Sequence, residues 1–396
     1  MHVAMVTPEY MSWGGVGSYV MQLARNLPSE FEVHILCLDS GQKKLEDTER
    51  VKIHTLGTAR DTFMYNNQFQ VALWRSFREL NDAYRFDLVH SNHAQMADIL
   101  LKVLGNEVPS VTTVHSTIGS QRMGTKASGL PLARLESSER MTMLLLPLLT
   151  TAERLYMRKC GSLIFVSEYI RDWCVRTFGV ECPNQVIHNG IDTTMFGPRD
   201  LSECLHHFPR LKGVENIVLF SGRMVALKGI ATALEAQRMI DPALKANFVF
   251  AGNGSQEQWR SMARHLGLDS SRCIFLGPVP YTKMPYLYPL ASAFILPSYS
   301  ESFPMTILEA MASGTPVIAS AVGGVPEIMV NHRHGLLVPP REPRALAEAI
   351  TSVLSDHRFA RSLCIRARDR VQTRFSATVM AQRTAEVYRR TAEEYA

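Results

Sequence analysis

The chain has no apolar run long enough to cross a bilayer. Its longest, Met143–Leu149, contains Pro147, whereas a membrane-spanning helix needs about 20 apolar residues. The first residues, Met1-His2-Val3-Ala4-Met5-Val6, lack the basic start and apolar stretch of a secretory leader. Cys37, Cys160, Cys174, Cys182, Cys204, Cys273 and Cys364 include no C-x-x-C pair. That scatter argues against a disulfide framework and a cysteine zinc site, and points to reduced thiols in a cytoplasm. A large charge excess is missing too: 42 Lys and Arg face 37 Asp and Glu, a net of +5, too little to predict a nucleic-acid partner. There is no D-x-D triplet, no short-period repeat and no low-complexity segment.

What is present is ordinary globular material, 46% hydrophobic and 20% charged over 396 residues, a length that predicts two domains. Short β-rich runs alternate with amphipathic stretches. His2–Thr7, Phe31–Leu38, Arg50–Leu56, Asp87–His90, Ser110–His115, Ser162–Ser167 and Gln185–His188 are expected strands, and Val16, Tyr19, Val20, Leu23, Ala24 and Leu27 recur at helical spacing. This alternation means a parallel sheet with right-handed crossovers, covered by helices on both faces. The pattern breaks over Asp192–Glu215, with Gly197-Pro198, Pro209 and Gly213, then restarts at Asn216–Ser221. Ala246–Gly252, Cys273–Gly277, Ala293–Pro297 and Thr315–Ser320 continue it. The fold class is therefore α/β, with two Rossmann-like doubly wound domains joined near residues 193–215. Ala377–Tyr395 is expected to form one final helix.

Open parallel sheets bind ligands at the carboxyl ends of their strands, and the informative residues follow strands. Trp13-Gly14-Gly15-Val16-Gly17 lies between the first strand and the first helix, where glycines let backbone approach a ligand and a helix start favours anions. Arg223, in Ser221-Gly222-Arg223, precedes Lys228-Gly229 by a short loop; two fixed cations there suit a diphosphate. Glu301 sits in the loop after Ala293–Pro297, and Glu309 eight residues on lies in the helix that follows. Paired carboxylates can accept hydrogen bonds from sugar hydroxyls, and the backbone N–H groups of Ser302 and Phe303 offer an anion site. Glu309 stands among apolar residues and needs a partner, of which a ligand is one candidate. Ser320–Glu327 carries a Gly323-Gly324 turn that can bring backbone near a ligand, and Glu327 fits a helix cap. Gly252-Asn253-Gly254 is a further strand-end turn, and His115 ends a strand where it would face the ligand.

In their order and placement these residues resemble glycosyltransferase family 4, retaining nucleotide-sugar enzymes of the GT-B fold. The likeness rests on Gly14-Gly15-Val16-Gly17, the string Gly222–Gly229, the Glu301/Glu309 pair with Ala310-Met311-Ala312-Ser313-Gly314, Gly323–Glu327, and His188-Asn189-Gly190-Ile191-Asp192 with Phe196. It implies two domains facing across a cleft: an acceptor-side domain of residues 1–193 plus 377–396, and a donor-binding domain of 194–376. It implies that Arg223 and Lys228 hold the donor diphosphate and Glu309 the ribose, and that Glu301, with Ser302 and Phe303 amides nearby, contacts the transferred sugar. Gly14, Gly15 and Gly254 join the donor contacts. His115, Glu301, Arg223 and Lys228 form the catalytic set. The activity implied is transfer of a hexose from a UDP- or GDP-sugar to a glycan, glycolipid or small metabolite, with the leaving diphosphate balanced by fixed cations. No metal is required, and Mg²⁺ has at most an assisting part. A sugar-nucleotide epimerase of the same fold and a non-catalytic nucleotide-sugar-binding protein stay as alternatives.

Two positions depart from the family pattern. Pro304 stands where many members have glycine, and proline has no N–H to offer. Asn92 takes the place of a second histidine, with His93 beside it. The stretch Ser116–Gly161 is the least family-like. Arg122, Lys126, Arg134, Arg140, Arg154, Arg158 and Lys159 there outnumber Glu136, Glu139 and Glu153 around the apolar Met141–Leu149. Two expectations stand for it: a helix pair packed on the first sheet, or a basic amphipathic element meeting a lipid-linked acceptor at the inner face of a membrane.

Overall fold

The computed structural model describes residues 1–8, 10, 15–39, 47–58, 65–93, 96, 98–105 and 107–395. Trp13 and Gly14 of the first glycine loop lie outside these. The chain begins β1 (His2–Val6), α1 (Gly15–Asn26), β2 (Glu32–Asp39), β3 (Val51–Thr58), α2 (Tyr65–Tyr84), β4 (Leu88–His93), α3 (Ile99–Leu104) and β5 (Ser110–Val114). It continues with α4 (Ile118–Ala127), α5 (Ser137–Leu144), α6 (Leu146–Met157), β6 (Ser162–Phe165), α7 (Glu168–Phe178), β7 (Asn184–Val186) and α8 (Leu201–His207). Then come β8 (Ile217–Ser221), α9 (Ile230–Met239), β9 (Asn247–Ala251), α10 (Gln256–His265), β10 (Cys273–Gly277), α11 (Met284–Leu287), β11 (Ala293–Leu296) and α12 (Met305–Ala312). β12 (Val317–Ser320), α13 (Val325–Ile328), β13 (Leu336–Val338), α14 (Pro343–Ser355), α15 (His357–Arg374) and α16 (Ala377–Glu393) complete it.

The strands form two parallel sheets, ordered β3-β2-β1-β4-β5-β6-β7 and β10-β9-β8-β11-β12-β13. Each order reverses once, between β1 and β4 and between β8 and β11. Those reversals are where an open sheet presents a ligand crevice beyond its strand ends. Each expected strand is present, with ends displaced by up to three residues. The unexpected one, β13, is a three-residue edge strand paired to β12, too short to leave a periodic signal.

Strand alternation builds the first core on both faces of its sheet. Val3 and Met5 pack with Tyr19, Val20 and Leu23 of α1 and with Met380, Ala381, Ala385 and Tyr388 of α16. Ala4 and Val6 pack on the other face with Phe69, Leu73 and Phe77 of α2. Each such fully buried side chain contributes about 1.5–3 kcal/mol.

The chain divides into two compact units. One holds Met1–Ile118, Leu145–Gly190 and Ala377–Ala396; the other holds Gly119–Leu144 and Ile191–Ser376. A division at 193 leaves Gly119–Leu144 with the first domain, but this stretch groups with the second. The chain passes into the second unit at Ile191 and leaves it at Ser376, and these segments run together there: Ile191 N–H donates to Phe375 C=O at 2.9 Å, beside a parallel bridge to Ser376.

Candidate functional site

In the second unit, β8 delivers Arg223 to the reversal point. Its side chain is exposed and makes no hydrogen bond or ion pair to another described residue. A 3₁₀ turn, Ala226–Lys228, follows and is closed by Gly229 at φ +70°. A Cβ on Gly229 would stand 1.9 Å from the Pro297 carbonyl oxygen. Only glycine lets the loop after β8 press on the end of β11, and that contact carries Lys228 across to the next loop. Lys228 Nζ donates to Glu301 Oε1 at 2.6 Å, and Ser298 Oγ donates to the same oxygen at 2.7 Å. Glu301 is 8% exposed and Lys228 22%, so most of this charge pair is withdrawn from water.

The loop after β12 holds the Glu301 backbone. Gly323 has φ +54°, and a Cβ there would lie 1.7 Å from the Glu301 carbonyl oxygen. Gly324 N–H donates to that oxygen at 3.1 Å. The Gly323-Gly324 turn, expected to bring backbone near a ligand, thus brings it onto Glu301. Ser302 has no hydrogen-bond partner among the described residues. Phe303 buries its ring against Phe375, centroids 5.5 Å apart, which anchors the loop before α12 begins after Pro304. Gly254, in the loop after β9, lies beside the Arg223 loop, where Met224 N–H donates to Asn253 C=O at 2.6 Å.

Glu309 sits on the buried side of α12 and is 4% exposed. Tyr288 O–H donates to its Oε2 at 2.6 Å, and Ser221 Oγ lies 2.8 Å from the Tyr288 oxygen. Burial pushes the Glu309 carboxyl up to about 7, against the lowering effect of the Tyr288 hydrogen bond. Burial likewise drives the Tyr288 hydroxyl well above its ordinary range, with the Glu309 charge adding to the effect. Phe196 stands 6.1 Å from the Tyr288 ring and backs this hydroxyl chain.

Sequence reasoning passed over four contributors. Ser221, Tyr288 and Ser298 are hydroxyls with no periodic signal, although Ser298-x-x-Glu301 has the spacing at which serine and glutamate meet in a turn. The fourth is Glu139 of α5, 5% exposed. Its carboxylate accepts from Ala226 N–H at 3.4 Å and Leu227 N–H at 3.3 Å, at the start of the turn that carries Lys228. Glu136 accepts from Ser255 N–H at 3.0 Å, and Ser300 Oγ donates to Ser120 C=O at 3.2 Å. The segment 119–144 therefore docks on three strand-end loops of the second unit.

In the first unit, His115 follows β5. Its Nε2 lies 3.4 Å from Asn92 Oδ1, and its ring meets Tyr19 edge-on at 4.6 Å. Asn92 is the residue that stands where the resemblance implies a second histidine. Gly15 opens α1, is exposed, and among the described residues has nothing within 4 Å of where a Cβ would stand. The structure thus gathers Arg223, Lys228, Gly254, Glu301, Ser302, Phe303 and Glu309 at the carboxyl edge of the second sheet, and places Gly15 and His115 at that of the first.

Two family models match the chain: Glycosyltransferase Family 4 over residues 13–195 and Glycosyl transferases group 1 over residues 205–370. An uncharacterized glycosyltransferase of Methanocaldococcus jannaschii is 28% identical over 401 residues, covering 98% of each chain. Among solved structures, sucrose-phosphate synthase from Thermosynechococcus elongatus has a TM-score of 0.83 at 24% identity over 98% of both chains. Anabaena HepE, solved with UDP-glucose, has a TM-score of 0.77 at 19% identity over 98% of this chain and 99% of that one. The fold is GT-B, built of two Rossmann-like sheets.

Proposed function

The chain belongs to the glycosyltransferases that these two family models describe, and from that premise we propose a retaining hexosyltransferase that takes its sugar from a UDP- or GDP-sugar. The observation that carries the reading is the grouping at the β8/β11 reversal: exposed Arg223, the Lys228–Glu301 pair, and buried Glu309 held by Tyr288. Two cations and two carboxylates at one sheet edge suit a diphosphate that links a ribose and a hexose.

Arg223 and Lys228 balance the charge that builds on the diphosphate as the anomeric bond breaks, an electrostatic contribution made strong by partial exclusion of water. Glu309 accepts from ribose hydroxyls, and Glu301 accepts from hydroxyls of the transferred sugar. A Glu301 so engaged orients the sugar and is a poor nucleophile. The acceptor hydroxyl attacks from the face the diphosphate leaves, giving retention, and a phosphate oxygen takes its proton. Fixed cations perform the neutralising work; Mg²⁺ is an assistant at most, which an EDTA-treated assay measures directly.

The acceptor is a hydroxyl compound met through residues 116–161. Met123, Leu132 and Leu144 are 60%, 49% and 67% exposed in the second unit, and Leu148 and Leu155 are 69% and 56% exposed in the first. Apolar side chains exposed among arginines and lysines suit a lipid-linked acceptor or an anionic bilayer surface. Among the described residues no helix is long and apolar enough to cross a membrane. Co-sedimentation with anionic vesicles at low salt tests the surface contact; protein left wholly in the supernatant removes it.

The deciding experiment is a screen of nucleotide sugars by thermal shift, followed by product analysis. UDP-glucose is the first donor to try, since a protein of the same fold was solved with it. A ligand at 100 times its Kd adds about 2.7 kcal/mol of stability. The expected product is a transferred or hydrolysed sugar with retained configuration. An epimerised sugar points to an epimerase, and binding without turnover to a non-catalytic binder.

A further inference from the structure

At the amino edge of the first sheet, opposite His115, the strand register gathers a set of titratable side chains. His2 of β1 pairs with Glu32 of β2, Ala4 pairs with His34, and His34 pairs in turn with Lys52 of β3. Partners on parallel strands share a face, as do residues two apart on one strand. His2, Glu32, His34, Lys52 and His54 therefore all project from one side of three adjacent strands.

Three of these side chains bring ligand atoms to near coordination spacing. His2 Nδ1 is 3.4 Å from His34 Nε2, His34 Nε2 is 3.4 Å from Glu32 Oε1, and His2 Nδ1 is 3.9 Å from Glu32 Oε2. Bonds of about 2.1 Å from a tetrahedral zinc ion put neighbouring ligand atoms about 3.4 Å apart. Among the described residues this is the one group of three such side chains whose ligand atoms all lie within 4.8 Å of one another.

The surroundings suit a metal ligand set. His34 is fully buried, and its second nitrogen, Nδ1, lies 3.0 Å from His54 Nε2. Its ring is wedged against Tyr84 at 4.4 Å and Phe86 at 5.2 Å. An outer partner of this kind fixes the ring and directs the other nitrogen's lone pair. His2 and Glu32 are 40% and 31% exposed, which leaves an entry path and room for water. A cation already serves this carboxylate: the Lys52 ammonium bonds Glu32. Lys52 is half exposed, and its Nζ also lies 5.3 Å from the Tyr84 ring centroid, so it has a resting place when displaced.

We propose that His2, Glu32 and His34 bind a divalent ion of the zinc type, with water as fourth ligand, His54 as outer support and Lys52 as the competing internal cation. Two imidazoles and one carboxylate favour zinc or its first-row neighbours over Mg²⁺ or Ca²⁺, which take oxygen ligands. The ion joins β1 to β2 where the sheet begins, so it acts on the stability of the first unit and not on the transferred sugar.

The test is titration of the untagged, metal-free protein with Co²⁺, read by visible absorption, and displacement by Zn²⁺. One equivalent is expected, with tetrahedral d–d bands and a rise in Tm. His2→Ala and Glu32→Gln change exposed groups that the core does not need; each is expected to weaken binding at least tenfold. His34→Ala abolishes it if the variant folds. Lys52→Ala is expected to tighten binding several-fold, a gain that a purely structural cluster does not give. Equal Co²⁺ binding by wild type, His2→Ala and Glu32→Gln overturns the proposal, as does no binding by wild type at about 100 μM metal.

Discussion

Lys228 and Glu301 lie 73 residues apart in sequence and share a 2.6 Å ion pair at the ends of adjacent strands. The cation expected for the diphosphate and the carboxylate expected for the sugar hold each other in place before any donor arrives. Their contributions to turnover are therefore expected to be coupled.

Lys228→Ala and Glu301→Gln are each expected to lower kcat/KM at least tenfold, about 1.4 kcal/mol. The double variant should lose much less than the sum, because the first change already frees the partner. Lys228→Ala also leaves the 8%-exposed Glu301 carboxylate with Ser298 alone, so a fall in Tm accompanies it. Arg223→Ala, at an exposed position, should cut activity while leaving Tm unchanged. Fully additive losses in the Lys228/Glu301 cycle contradict the coupling.

Glu309 links the site to pH. Its folded value of about 7 exceeds its ordinary value of 4.5, so the neutral carboxyl contributes stability in full below about pH 4.5. That contribution is lost progressively to about pH 7 and is absent above it, a span on the order of 3 kcal/mol. Glu309→Gln is expected to raise Tm relative to wild type at pH 8 and to change it little at pH 4.5, while donor affinity falls at least tenfold. Equal Tm differences at the two pH values contradict the burial argument.

Glu139 positions the Lys228 turn through two backbone amides. Glu139→Gln keeps its shape and one acceptor oxygen but loses the charge. Donor KM is expected to rise three- to tenfold, consistent with about 1 kcal/mol for such hydrogen bonds, with kcat less affected. A role confined to packing lowers Tm without moving KM, so the two measurements separate the cases.

Two glycines should behave in opposite ways. Gly323→Ala forces a Cβ to 1.7 Å from the Glu301 carbonyl oxygen at φ +54°, and is expected to cost both stability and activity. Gly15→Ala meets no atom of another described residue within 4 Å, so the stability should hold within about 0.5 kcal/mol. Its activity should nonetheless fall, because the position is open for a ligand. Unchanged turnover in Gly15→Ala removes that residue from the donor contacts.

The strands were legible because each is a compact apolar run bounded by turn residues, and strand-end placement then located Arg223, Lys228, Glu301 and Glu309. Their partners were not legible. Tyr288 reaches Glu309 from a Tyr-Pro segment with no period, and Lys228 reaches Glu301 only because Gly229 clears Pro297. The grouping of 119–144 with the second unit was also hidden. It depends on Glu139 and Glu136 meeting amides about a hundred residues away, and nothing in the local pattern of those glutamates records that distance. β13 escaped notice because three residues cannot show a period.

The place of α16 sets a timetable for synthesis. Met380, Ala381, Ala385, Val387 and Tyr388 complete a core whose other members include Val3, Met5, Tyr19 and Phe31. A ribosome adds about 5–20 residues per second. The first unit thus leaves the ribosome with an apolar trough that stays uncovered for about 10–40 s, while the whole 191–376 stretch is made. The half made first is finished last. During that interval the nascent chain presents chaperones with one large, defined client surface, and a stop codon placed before residue 377 makes the exposure permanent.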